Sequence, residues 1–280
     1  MANLAVEKLK VDQRIQDSRT RVDSVRLLHN LTLDHGPIED LAAFLLMADK
    51  ALSDMGITMY RSSVSELARV CEMHPKSWGW FAPMLDVRVA PIDPTTSYSI
   101  IGRDLQGEIA VVQGGKLLDT GDKTVQAMAD DHSLYFGVPR NPAPHELRCR
   151  LSAPMAGTLR GRLHYSGGLW VNPTHRGRGL PAITERISRA LGLGWWGTTH
   201  TFSFVSESLT ASPLNSLTGF KNIQPSYSIF KDGAEAYKGS LIWMEAETVA
   251  TDLQEFYLTG FAKIDAGVIY GRRKNNAAVA

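Results

Sequence analysis

Three consecutive segments decide the fold: Arg162-Leu-His-Tyr-Ser-Gly-Gly-Leu-Trp-Val171, Asn172-Pro-Thr-His-Arg-Gly-Arg-Gly179, and Leu180-Pro-Ala-Ile-Thr-Glu-Arg-Ile-Ser-Arg-Ala-Leu191. The first has strand composition interrupted by Gly167-Gly168, and glycines inside a strand mark a bulge or a close backbone approach. The second is rich in turn residues. In the third, Leu180, Ile183, Ile187, Ala190 and Leu191 recur at helical spacing, Glu185 and Arg189 are set to pair one turn apart, and Gly192 is placed to close the helix. A strand, a glycine-rich turn and a helix start form an anion site: unpaired N–H groups point outward and the helix dipole adds positive charge.

Working outward, Thr198–Val205 reads as a neighbouring strand, 210–219 as a short helix, and Tyr227–Lys231 with Leu241–Glu245 as a last pair of strands. Residues 251–261 read as helical, and the tail from Gly271 as frayed. Upstream, Ser97–Gly102 and Glu108–Val112 flank Arg103-Asp-Leu-Gln-Gly107, a β-hairpin turn. Residues 121–158 carry four prolines and look like an insertion. Leu4, Val11, Ile15, Val22 and Val25 predict a first helix with one narrow apolar face, suited to a partner helix in a homodimer or to its own domain. Gly36-Pro37 breaks it. A second helix follows with Leu41, Phe44, Leu45, Ala48, Leu52 and Met55 on one face and Gly56 as its stop. Ile57–Tyr60 suggests a strand, and Ser63 with Glu66 a capping box for a helix ending near His74-Pro75. The expected organisation is an N-terminal helical extension over 1–56, a main domain over 57–250, and a C-terminal helix and tail over 251–280.

The 280 residues include 44% hydrophobic and 21% charged, which excludes a disordered or fibrous chain. Thirty Lys and Arg against 29 Asp and Glu leave a net charge of +1, which argues against a nucleic-acid partner. Cys71 and Cys149 offer neither a disulfide framework nor zinc spacing, so no metal is expected. Charges at Glu7, Lys8 and Lys10 break any signal peptide, and the longest apolar stretch, Leu41–Ala48, falls far short of the ~20 residues that span a bilayer. A soluble cytoplasmic protein without membrane contact is the expectation. The central turn lacks the Lys-Ser/Thr of a P-loop and the three-glycine spacing of a dinucleotide fold.

Val171-Asn-Pro173 followed by Arg176-Gly-Arg-Gly179 resembles the acyl-coenzyme A turn of the GNAT superfamily of N-acetyltransferases, Arg/Gln-x-x-Gly-x-Gly/Ala preceded by Val-x-Pro. The resemblance extends to the upstream hairpin and to Gly219-Phe220, which match the family's last conserved helix, with Ala211 at its small position. It covers roughly residues 57–250 in element order and 160–222 in motif detail. It implies an α/β fold whose mixed, mostly antiparallel sheet splays at its centre between flanking helices. It also implies acyl transfer from acetyl-CoA or a longer acyl-CoA to the amine of a small molecule or peptide. The cofactor residues would be Val171, Arg176, Gly177, Arg178, Gly179 and Leu180. Two positions depart from the pattern: Pro181 stands for Gly or Ala, and Asn215 stands where the family often has a Tyr acid.

In that family a base, or a residue orienting water, projects from the motif strand, and here the window holds His164, Tyr165 and Ser166. His164 and His200 are candidate bases because imidazole titrates near neutrality, and Tyr165 is a candidate acid toward the leaving thiolate. The competing reading has Tyr165 in the core, His164 facing solvent and His200 a satisfied core residue beside Phe202 and Phe204. Ser206 and Glu207 lie where the family positions the acceptor or the pantetheine arm; Glu207 reads equally as a solvated carboxylate. Arg160, Arg162 and His175 join Arg176 and Arg178 in concentrating positive charge around the turn. Trp78, Trp80 and Phe81 would wall a substrate pocket or, more in keeping with their type, pack inside. Without the Tyr, an acyl-CoA-binding protein that lacks turnover is the first rival; a nucleic-acid module built on the arginines is the second.

Overall fold

Residues 24–210 and 217–265 are described by a computed structural model, and their backbone hydrogen bonds join nine strands into one sheet. In chain order these are β1 (Val25–Arg26), β2 (Thr58–Ser62), β3 (Ser97–Arg103), β4 (Ile109–Asp119), β5 (Arg148–Leu151), β6 (Arg162–Val171), β7 (His200–Ser206), β8 (Asn222–Lys231) and β9 (Ala234–Glu245). Across the sheet they run β1-β2-β3-β4-β6-β7-β9-β8-β5. Every neighbouring pair is antiparallel except β6 and β7, which are parallel. This is the mixed, mostly antiparallel sheet that the turn motif implies.

The hairpin β3–β4 closes as its residues dictate. Asp104 Oδ1 accepts from the N–H groups of Gln106 and Glu108, and Gly107 takes φ +83°, where a side chain would be strained. Val25, expected on a first helix, instead pairs with Arg61 in β1; residues 1–23, which carry the rest of that expectation, lie outside the described residues. Helix α1 (Ile38–Asp54) starts just after Pro37 and ends at Gly56, as its punctuation requires. Helix α2 (Val64–Met73) is capped by Ser63, whose side chain accepts from Glu66 N. The Glu66 carboxylate turns to Arg69 rather than back to the cap.

Helix α3 (Leu180–Trp196) runs past Gly192 and is closed by Gly197 at φ +56°, whose N–H donates to Leu193 O. Gly192 has another use. A Cβ there would lie 2.4 Å from the His164 ring, so its absence lets α3 settle onto β6. Helices α1, α3 and α4 (Ala246–Glu255) cover one face of the sheet around Phe44, Ile183, Ile187, Met244 and Leu253. The other face holds α2 and the 121–158 stretch, which supplies Leu134, Tyr135, Leu151 and Ala156 to a second apolar cluster and adds β5 beyond β8. The expected tail and the segment 211–216, with Ala211 and Asn215, lie outside the described residues.

All of α3 except Trp195 is buried, so its charged residues need internal partners. Arg189, expected to pair with Glu185, reaches Asp252 of α4 at 2.8 Å, and Arg186 reaches the other oxygen of the same carboxylate at 2.9 Å. Removing one member of such a group strands buried charge. Asp252→Ala is expected to destabilise the protein by about 3–5 kcal/mol in urea titrations; a loss below about 1 kcal/mol would show that the two guanidiniums do not depend on it.

Candidate functional site

The parallel pairing of β6 with β7 covers only Leu163–Tyr165 against His200–Phe202. Beyond it β6 stays with β4 and β7 stays with β9, so the two strands diverge and a wedge opens through the sheet. On its other side β6 carries a bulge: Gly168 and Leu169 together oppose Gln113 of β4, and Gly168 sits at φ +68°. A cavity of about 930 Å³ fills the opening. Its wall takes in the bulge, the turn at Arg176-Gly177, Pro181 and Glu185 of α3, and the aromatic side chains of Trp78, Trp80, Tyr165, Phe204, Tyr227 and Tyr237.

At the turn, Gly177 (φ +73°) and Gly179 (φ +89°) adopt left-handed backbone on either side of Arg178. Among the described residues no hydrogen bond uses the N–H of Gly177, Arg178, Gly179 or Leu180. These four donors stand at the start of a 17-residue helix, where the fold gives them no partner, and Gly177 reaches the cavity wall. Pro181 occupies the first turn, where its missing N–H costs the helix nothing. The arginines serve the turn differently from the sequence expectation. Arg176 donates to Val171 O (3.2 Å) and Ser77 O (3.5 Å), tying the turn to the Trp78 segment. Arg178 donates to Met55 O (2.5 Å) and to His175 Nδ1 (2.9 Å), and His175 Nε2 donates to Asp104 (3.1 Å). Their guanidiniums tie the loop to neighbouring segments. Arg162 is likewise bound to Trp196 O.

Where the wedge meets α3, four polar side chains converge. Ser166 Oγ donates to Glu185 Oε1 (2.8 Å), lies 2.9 Å from Ser188 Oγ, and accepts from Gln113 Nε2 (2.9 Å). Glu185 is buried, and the desolvation raises its carboxyl above the ordinary range although Arg189 and the Ser166 hydroxyl act to lower it. Gln113 is fully buried and its Oε1 has no hydrogen-bond partner among the described residues. Sequence patterning assigns Glu185 to a helical ion pair; only the depth of α3 and the bulge opposite Gln113 bring it to the cavity.

The structure brings Tyr165, Val171, Arg176, Gly177 and Ser206 to the cavity wall and places His164, His200, Arg178, Gly179, Leu180 and Glu207 off it. His164 does not face solvent. It is fully buried on the α3 side, with Nε2 3.2 Å from Tyr98 Oη and Nδ1 3.2 Å from Thr201 Oγ1. The Tyr98 proton goes to Ser188 O, so His164 Nε2–H donates to Tyr98 and Nδ1 accepts from Thr201. Tyr165 points to the opposite face against Phe202 and Phe204, where burial raises its phenol far above the usual value. His200 stands at the start of β7 beside Thr199. Ser206 receives Leu209 N–H and contacts Ser208, and Glu207 is exposed and paired with Lys238. Leu180 packs in the core. Trp78 and Trp80, for which packing was the stronger expectation, border the cavity while also stacking on Trp170 and Tyr237.

No family model and no curated protein matches the chain. Solved structures do resemble it. Arabidopsis thaliana NAA60 in complex with acetyl-CoA is 14% identical over 68% of this chain and 98% of its own, with a TM-score of 0.43. The spermidine/spermine N-acetyltransferase SpeG from Vibrio cholerae, solved in mutant forms, is 10% identical over 73% of this chain and 97% of its own, with a TM-score of 0.39. At such identities neither transfers a residue's role to this chain. Among the described residues no helix is long and apolar enough to cross a membrane.

The His164 environment generates a pH signature. Desolvation, assisted by Arg189, pushes its pKa down from 6.5 to about 3, so the folded state keeps it neutral where the unfolded chain binds a proton. Its stabilising contribution is complete above pH ~6.5 and is lost as pH falls toward about 3, at roughly 1.4 kcal/mol per pH unit. Urea unfolding of the parent and His164→Gln at pH 7 and pH 5 is expected to show about 2 kcal/mol more loss in the parent. Equal losses would mean that His164 is protonated in the fold.

Proposed function

We propose that the chain transfers an acyl group from an acyl-coenzyme A thioester to an amine. The observation that carries this reading is the cavity through the parted sheet, which runs from Gly177 of the helix-start turn to a buried carboxylate. The four unpaired N–H groups of 177–180, with left-handed glycines on both sides of Arg178, fit a pyrophosphate. The wedge between β6 and β7 fits an extended arm that needs backbone not already paired across a ladder. The donor, when bound, supplies an electrophilic thioester carbon; the N–C bond forms as the C–S bond breaks.

The residues of the chain then have distinct tasks. The amine must lose a proton, and the Glu185 carboxylate, raised by burial, is the base, with Ser166 holding Oε1 in place. The departing thiolate needs a proton: Tyr165, on the wall opposite and kept protonated by burial, can hold the sulfur by a hydrogen bond, and the proton that Glu185 took from the amine is the one that ends on the thiol. His164 and His200 take no part in this scheme: the first is consumed by structural hydrogen bonds, and neither borders the cavity. Ser206 helps to wall the acceptor end.

Two measurements test the reading. Gly179→Val forces a β-branched residue to φ +89°, a strain of ~1–3 kcal/mol, and calorimetry should show coenzyme A affinity reduced roughly tenfold or more; unchanged affinity would remove the turn from the site. Glu185→Gln keeps the shape and the Ser166 contact. It is expected to lower turnover ~10²–10⁴-fold at unchanged acyl-CoA affinity and to abolish the acidic limb of the pH–rate profile. Parent turnover in that variant would refute the base.

A further inference from the structure

The cavity wall divides sharply by chemistry. Among the described residues its charged side chains are Arg176 and Glu185, and Arg176 is already bound to two carbonyls. At the polar end, Gln113 Oε1 is fully buried without a partner, beside the Ser166 hydroxyl that donates to Glu185. An unpartnered buried carbonyl costs free energy unless a ligand donor meets it, and here the amide that carries it donates to the hydroxyl that the Glu185 carboxylate holds. An N–H-bearing cationic group satisfies both. The rest of the wall carries aromatic rings among smaller side chains such as Ser203, Ser206 and Ile242. Trp80 lies 5.6 Å from Tyr237, Phe204 stacks on Tyr227 at 3.9 Å, and Trp78 stacks on Trp170 at 5.6 Å. Trp78 and Trp80 stay half-exposed, so their uncovered faces are the surface a ligand would bury.

Such a wall selects against an amine with a second charge. A second ammonium, as in a polyamine, would be desolvated among rings with no second carboxylate, a loss that contact with ring faces offsets only in part. We infer that the acceptor is an amine on an aromatic body, its nitrogen held between Glu185 and Gln113 Oε1 and its ring against Trp80 and Tyr237. This deepens the acyl-transfer reading and rests on it for the reaction.

The test assays the full chain with acetyl-CoA against 2-phenylethylamine, tryptamine, spermidine and glucosamine, following thiol release and the mass of the N-acyl product. The two arylalkylamines are expected to exceed the others about tenfold or more in kcat/KM. Trp80→Ala should raise KM for 2-phenylethylamine about tenfold, with most of it restored in Trp80→Phe, while KM for acetyl-CoA moves less than about twofold. Preferred acylation of spermidine or glucosamine would overturn the acceptor class and leave acyl transfer standing. Equal KM in Trp80→Ala and the parent would likewise overturn the placement of the ring. Absence of coenzyme A binding by calorimetry, or binding with no amine acylated, would overturn the acceptor class and the acyl-transfer reading together.

Discussion

The parallel contact of β6 and β7 ends after three residue pairs, Leu163–Tyr165 with His200–Phe202, and the rest of the site follows from that ending. Two strands that each hold another partner along their length have no ladder to close between them once they diverge. The backbone groups in the gap need partners from a ligand or water, and the space needs filling. The bulge at Gly168-Leu169 works in the same direction, because two residues opposing Gln113 turn that side chain inward to Ser166. The wedge therefore has one wall built from glycine-bearing backbone and another from the aromatic side chains of β7, β8 and β9.

Depth explains the electrostatics. Helix α3 lies between the sheet and helices α1 and α4, and a charged residue anywhere along it is removed from water. Arg186 and Arg189 meet this by sharing Asp252, while Arg189 Nε and Nη1 are buried without partners among the described residues. Burial even draws the Arg186 guanidinium down to about 10. Glu185 feels the attraction of both arginines, yet desolvation outweighs it and the carboxyl is raised. The same helix thus holds a structural ion group on the side toward α4 and a carboxyl raised by burial on the side toward the wedge. The difference lies in what each side chain meets, since the residues are only one turn apart.

The arginines of the turn show a related division of labour. A basic cluster beside a glycine-rich loop reads as a phosphate grip, but Arg176 and Arg178 each cross to a carbonyl of another segment, Ser77 and Met55. They tie the loop to those segments, while its own N–H groups have no partner among the described residues. Backbone donors are preorganised by the φ values at Gly177 and Gly179 and lose little freedom on meeting an anion; a free arginine side chain would lose more.

Local chemistry was written plainly in the chain: the Asp104–Gly107 hairpin, the Ser63 cap, the Gly56 stop and the strand, turn and helix from Arg162 onward are each set by neighbours in sequence, and all are present. Periodicity misled only where a residue answers to a distant partner. Val25 has an apolar side chain at helical spacing but pairs with Arg61, and Gly192 looks like a helix stop yet makes room for His164. Gly167-Gly168 hid the facing of its strand, because a bulge resets the alternation by one residue, so whether His164 or Tyr165 reached the cavity could not be counted along the chain. Glu185, Ser166 and Gln113 come from α3, β6 and β4, and only the packing of α3 onto the sheet gathers them. The sequence by itself determined the elements and the glycine-rich turn, since hydrogen bonding within a few residues decides those. Which carboxylate stands in the cavity, and which histidine is sealed in the core, was decided by burial, and burial is a property of the assembled layers.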